Sequence, residues 1–125
     1  MEPLKARREN ITLVLHRPKH HGNIGSAARC AKNMGMRNIV VVTRDEPDME
    51  KIRQMSTHLA VDVVERIRFV ESLEEAIGGF HWIVGTTSRT GSMRQPTGSP
   101  REVASTLVGL SQKNKVAVLF GPEDI

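Results

Sequence analysis

Apolar and polar positions alternate in two rhythms along this chain, and the switch between them marks its elements. Ile11 to Leu15, Asn38 to Thr43, Trp82 to Gly85 and Val116 to Phe120 are short runs rich in Val and Ile, the composition of strands buried on both faces. Between the first two runs, Ile24, Ala27, Ala28, Ala31 and Met34 recur at three-and-four spacing, which predicts a helix whose packed face is made mostly of small residues. Asp48 followed by Met49, Ile52, Met55 and Leu59 predicts a capped helix with one apolar stripe, its methionines in the core. Val61, Val63, Ile67 and Phe69 read as the continuation of that helix and then a short strand. Ser72-Leu-Glu-Glu opens a short capped helix that Gly78-Gly79 ends, and Ser99-Pro100-Arg-Glu102 opens another that runs to about Lys113. Strands alternating with helices predict an α/β fold with a parallel-rich sheet.

The stretch from His20 to Gly35 directly follows the first strand and opens the helix, at the edge of a parallel sheet where ligands bind beyond the carboxyl ends of the strands. Gly22 and Gly25 there are read as letting backbone approach a ligand at the positive end of the helix. Ser26, Arg29 and Asn33 share a helix face away from the small-residue face. An arginine is ordinarily a solvated surface residue. Arg29 has only Ala, Ser and Cys beside it to shield it, which marks it as a functional candidate.

These residues carry a resemblance. Asn23-Ile-Gly-Ser-Ala-Ala-Arg29 with Asn33-Met-Gly35 resembles the first signature motif of the SpoU/TrmH-type branch of the SPOUT RNA 2′-O-ribose methyltransferases, and Leu119-Phe-Gly-Pro-Glu-Asp124 resembles the second. Gly85-Thr-Thr-Ser-Arg89 is similar to a loop of the members that modify the tRNA anticodon loop. The resemblance implies a Rossmann-like sheet of the α/β-knot type, S-adenosylmethionine as methyl donor, RNA (most specifically tRNA) as substrate, and a homodimer with active sites near the interface. Residue by residue, it implies that Arg29 activates the ribose 2′-hydroxyl beside an RNA phosphate, that Asn23 supports that geometry, and that Glu123 is the second-motif carboxylate. For Glu123, a helix-start carboxylate or a structural ion-pair partner stays open beside a catalytic role. Gly121, Thr86, Thr87 and Ser88 would flank the cofactor, and Arg17, Arg89 and Arg94 would hold RNA. The family's third motif, a Ser-Leu-Asn-type segment that closes the knot, is not found up to Ile125. Residues 1–125 are therefore expected to be an incomplete methyltransferase domain, inactive alone.

Composition narrows the choice further. A chain of 125 residues suits one core, and a net charge of +4 favours a polyanionic partner without proving one. Cys30, the lone cysteine, cannot form an internal disulfide and is read as a buried thiol in a reducing compartment; with neither a secretory signal nor a membrane span visible, a cytoplasmic protein is expected. Aromatic residues are few, and Trp82 and Phe120 fall in strand patterns and are assigned to the core, so base stacking is not the expected source of affinity. His16, His20 and His21 lack Cys, Asp or Glu at ligand spacing, which argues against a metal site. A dinucleotide-binding oxidoreductase would need the three-glycine fingerprint, a P-loop its Gly-Lys-Ser/Thr, and a serine hydrolase its Gly-x-Ser-x-Gly elbow, none of which occurs. The remaining alternative is a catalytically silent RNA-binding α/β domain.

Overall fold

The computed structural model describes residues 5–86 and 100–121, with the backbone alone at residues 86 and 100–104. Among the described residues five strands form one sheet, β1 (Ile11–His16), β2 (Ile39–Val42), β3 (Arg68–Val70), β4 (Trp82–Thr86) and β5 (Val116–Phe120), in the order β3-β2-β1-β5-β4. Every pairing is parallel. The helices are α1 (Gly22–Asn33), α2 (Met49–Ser56), α3 (Val61–Glu65), α4 (Leu73–Ile77) and α5 (Pro100–Ser111), with single 3-10 turns at Arg8–Asn10 and His58–Ala60. The predicted α/β class and the parallel sheet are both observed.

Burial on both faces explains the unbroken apolar runs, and all four residues of β2 are buried. On one face Ile11, Ile39, Val41 and Val118 pack with Ile24, Ala28 and Ala31 of α1, Ile52 of α2, and Val63 and Val64 of α3. On the other face Val14, Val40, Val42 and Ala117 pack with Ala76 of α4. Two predicted caps are in place: Asp48 accepts from the Lys51 amide at 3.2 Å, and Ser72 accepts from the Glu75 amide at 3.2 Å.

The small residues of α1 serve a close helix crossing. A Cβ added at Gly25 would meet the backbone of α2, 2.9 Å from the Ser56 nitrogen and 3.0 Å from the Ile52 carbonyl carbon, and one added at Gly22 would lie 3.1 Å from Met55 Cγ. Gly25 thus makes room for the backbone of α2, a packing role the sequence pattern did not assign to it, whereas Gly22 meets only the flexible Met55 side chain. Gly35 ends α1 at φ 77°, with Met36 N–H donating to the Ala31 carbonyl at 2.8 Å and Gly35 N–H to that of Lys32 at 3.1 Å, the paired bonds of a Schellman motif.

Several core assignments are corrected. Met55 is 45% exposed although it lies within α2, and Leu59 is 67% exposed because α2 stops at Ser56 and Thr57 turns the chain to φ 62°. Helix α2 buries Ile52 and Ser56 instead. Trp82 is exposed at the start of β4, an edge strand with a neighbour on one side only, and Phe120, Met34 and Cys30 are exposed along an open groove.

Candidate active site at the carboxyl edge of the sheet

The strand order reverses its direction of growth between β1 and β5. The first half of the chain builds outward through β2 and β3, and the second half crosses over to β4 and returns with β5. A parallel sheet opens a crevice at such a switch point, beyond the carboxyl ends of the two strands. Leu15, Phe120 and Thr86 stand in register across β1, β5 and β4, so the residues that follow them share one edge.

Two of those residues have left-handed backbones. Arg17 follows β1 at φ 53°, held by its own N–H donating to the Val42 carbonyl at 2.8 Å, and its side chain is exposed. Gly121 follows β5 at φ 97°, a conformation that glycine adopts without the cost a side chain would add. His16 precedes Arg17 and is held below the ordinary histidine range, first by partial burial and then by the neighbouring guanidinium. Its imidazole therefore favours the neutral form.

Asn23 lies in the first turn of α1 at this edge, exposed. Arg29 is exposed as well, and it has no hydrogen-bond or ion-pair partner among the described residues. It stands six residues along the helix, roughly 9 Å down the axis and about 120° around it from Asn23. The chain therefore does not bring these two onto a single face of α1. Thr87, Ser88, Arg89, Arg94 and Glu123 lie outside the described residues, and for Thr86 only the backbone is described.

Beside the edge runs an apolar groove of about 720 Å³, walled by Leu13, Leu15, Val118 and Phe120 of the sheet, by Ala27, Cys30 and Met34 of α1, and by Leu107 of α5, with His16 and Asn23 at its rim. Sequence reasoning missed this groove. Its signal was present: Asn23, Ala27, Cys30 and Met34 form a second row at four-three-four spacing beside the buried row of Ile24, Ala28 and Ala31.

His21 was also underread. Its Nδ1 accepts from the Asp48 amide at 2.9 Å, so it bonds backbone and stands at the helix entrance. Among the described residues no group of three or more His, Cys, Asp or Glu side chains could hold a metal ion, and no helix is long and apolar enough to cross a membrane.

Comparison with known proteins gives this edge a family. Over 117 residues the chain is 38% identical to the tRNA (cytidine/uridine/adenosine-2'-O-)-methyltransferase TrmJ of Pseudomonas aeruginosa, covering 92% of this chain and 45% of the relative. The structure of a probable methylase family protein from Haemophilus influenzae superposes with a TM-score of 0.82 at 36% identity, over 97% of this chain and 49% of that one. TrmJ from Z. mobilis superposes with a TM-score of 0.75 at 28% identity, over 90% of this chain and 49% of that one. The chain thus spans about half the length of the relatives it matches. A profile described as the SpoU rRNA Methylase family matches residues 10–125, a span that takes in the whole sheet and both signature motifs, and on that match the chain belongs to the SpoU methylase family.

Proposed function

We propose that residues 1–125 supply the first- and second-motif part of a cytoplasmic, S-adenosylmethionine-dependent RNA 2′-O-ribose methyltransferase that acts on tRNA, in its anticodon loop, as a homodimer. The observation that carries this reading is the meeting of Arg17, Asn23, Thr86 and Gly121 at one sheet edge, at the β1/β5 switch point, in a chain of the SpoU methylase family. The relatives named for 2′-O-methylation of tRNA support the substrate class.

The edge fits the cofactor in two respects. The left-handed, side-chain-free backbone at Gly121 leaves access along β5, and Thr86 ends the neighbouring strand one register step away. Thr86, Thr87, Ser88 and Gly121 would hold S-adenosylmethionine. Bound there, it would supply a methyl group on a sulfonium, an activated donor that leaves positioning as most of the task.

The chain's own residues do the rest. Arg29, a fixed cation with a fork of donors, holds an RNA phosphate and stabilises the ribose oxygen as it loses its proton. Asn23 orients that arrangement, and Glu123 is assigned to it as the second-motif carboxylate. Arg17, Arg89 and Arg94 grip the RNA backbone. Because Arg29 and Asn23 project from different sides of α1, a two-fold dimer that sets its sites near the interface accounts for both.

The test is calorimetry with S-adenosylmethionine on residues 1–125 and on a longer chain that includes the family's third motif. Binding is expected in the longer chain and weak or absent in the shorter one. Tight binding by residues 1–125 would show that the cofactor cleft is assigned wrongly. RNA binding by the longer chain without methyl transfer would favour a silent RNA-binding domain.

A further inference from the structure

We infer that His21 is a positioning residue, a backbone-bonding imidazole that ties the β1–α1 turn to α2 and thereby fixes where Arg17 and Asn23 stand. The turn from Arg17 to His21 joins Arg17 to the helix that carries Asn23, and although Pro18 in it is buried, Arg17, Lys19 and His20 are exposed. One end is anchored by the ladder bond from Arg17 N–H to Val42. The other end is anchored by His21, whose Nδ1 accepts from Asp48 N–H at 2.9 Å.

Asp48 is a stiff anchor. It is the N-cap of α2, its carboxylate accepting from Lys51 N–H and its carbonyl from Ile52 N–H at 3.1 Å. Helix α2 in turn lies against α1 at Gly25 with no space for a Cβ. The side-chain bond at His21 and the glycine crossing therefore fix α1 at two points along the same neighbour. A Cβ-branched or aliphatic residue at position 21 could preserve the helix but would leave the Asp48 amide without this acceptor.

The bond also sets the ring's chemistry. To accept at Nδ1 the imidazole must be neutral with its proton on Nε2. His21 then acts through placement of its neighbours and adds no charge of its own to the RNA surface. The inference rests on the proposed reading only where it assigns Arg17 and Asn23 to the RNA cleft.

The experiment uses the 125-residue chain as it stands, with tRNA as the probe, and compares the parent with His21→Phe, His21→Asn and Arg17→Gly. Nitrogen-15 NMR of the parent is expected to show an unprotonated Nδ1 on His21. In His21→Phe the Asp48 amide should exchange roughly five- to tenfold faster, the loss of one modest hydrogen bond, and the amides of Arg17 to Asn23 should shift. The Asn variant, whose Oδ1 can take the place of Nδ1, should restore both. His21→Phe should weaken tRNA binding severalfold with an unchanged salt slope, whereas Arg17→Gly should lower the slope by roughly 0.7–0.9, and a parent chain that binds no tRNA would overturn the positioning role together with the proposed RNA cleft.

A protonated Nδ1 in the parent, or a Phe variant whose Asp48 exchange and turn shifts match the parent's, would overturn the tie. If the Phe variant does not fold, the parent's nitrogen-15 spectrum and the Asn variant's exchange decide the matter. A broken tie with unchanged tRNA affinity would overturn the positioning role alone. Failure of every variant, Arg17→Gly included, to alter tRNA binding would instead count against the proposed RNA cleft.

Discussion

Gly25 of α1 packs so tightly on Ile52 of α2 that the carbonyl of Ile52 occupies the space where a Cβ would go. This crossing holds the helix that carries both Asn23 and Arg29. Gly25→Ala sets two effects against each other. Alanine in a helix interior gains about 1 kcal/mol over glycine from backbone entropy. Forcing a methyl group into a backbone contact that cannot swing aside costs about 1–3 kcal/mol or more. The clash wins, because the obstructing atoms belong to the main chain of another helix. Urea unfolding of Gly25→Ala should show a net loss of up to about 2 kcal/mol, and a more stable variant would contradict the crossing.

Thr57 predicts the opposite sign. At φ 62° and ψ 170° it sits in a region that only glycine occupies comfortably, a strain of about 1–3 kcal/mol. Its Oγ1 accepts from Leu59 N–H at 3.4 Å, a long bond of little worth. Thr57→Gly gives up that bond and frees the unfolded chain, which together cost about 1 kcal/mol. The variant should therefore be as stable as the parent or more so, by up to about 2 kcal/mol. A fall in melting temperature would show that Thr57 is not strained.

Thr57 also explains where sequence reading stopped. The runs at Ile11–Leu15, Ile39–Val42 and Val116–Phe120 were legible because a strand buried on both faces must be apolar throughout, and the caps at Asp48 and Ser72 were legible because each is followed by its helix at the right spacing. The stripe Met49, Ile52, Met55, Leu59 presumed a helix through residue 59. Nothing local to a threonine announces a left-handed turn, so the exposure of Leu59 was hidden, and that of Met55 was hidden because α2 buries Ser56, one residue further round, in its place. In the candidate site, the edge positions of Asn23, Thr86 and Gly121 followed from strand–helix order. The separation of Arg29 from Asn23 around the helix follows from their six-residue spacing alone, whereas the groove and the His21 bond depended on which side of α1 meets α2.

His16 and Arg17 yield a pH prediction. Burial and the guanidinium lower the His16 pKa, so between its folded and unfolded values the unfolded chain binds more protons. Stability contributed by this group is full above the ordinary histidine value of about 6.5 and declines as pH falls below it. Arg17→Ala should move the His16 titration upward, as read from its ring proton by NMR. An unchanged midpoint would remove Arg17 from its surroundings, and a downward shift would contradict the sign.

Arg89 and Arg94 are tested by salt. Each phosphate contact proposed for them would contribute roughly 0.7–0.9 to the slope of log affinity against log salt concentration. The double alanine variant should bind tRNA more weakly and with a flatter slope, its stability intact. An unchanged slope in filter binding would move the RNA surface elsewhere, toward Arg7, Arg8, Arg17 and Lys19.

The central claim is that these residues serve methyl transfer to a ribose in RNA, with Arg29 at the reacting oxygen. It is tested most directly by incubating tRNA with methyl-labelled S-adenosylmethionine and a chain that carries residues 1–125 together with the third motif, then locating the label by alkaline hydrolysis. The account predicts label in alkali-resistant dinucleotides, and a loss of roughly 10²–10³-fold in rate for Arg29→Ala with cofactor affinity nearly unchanged. Label on a base, or Arg29→Ala working at the parental rate, would contradict it.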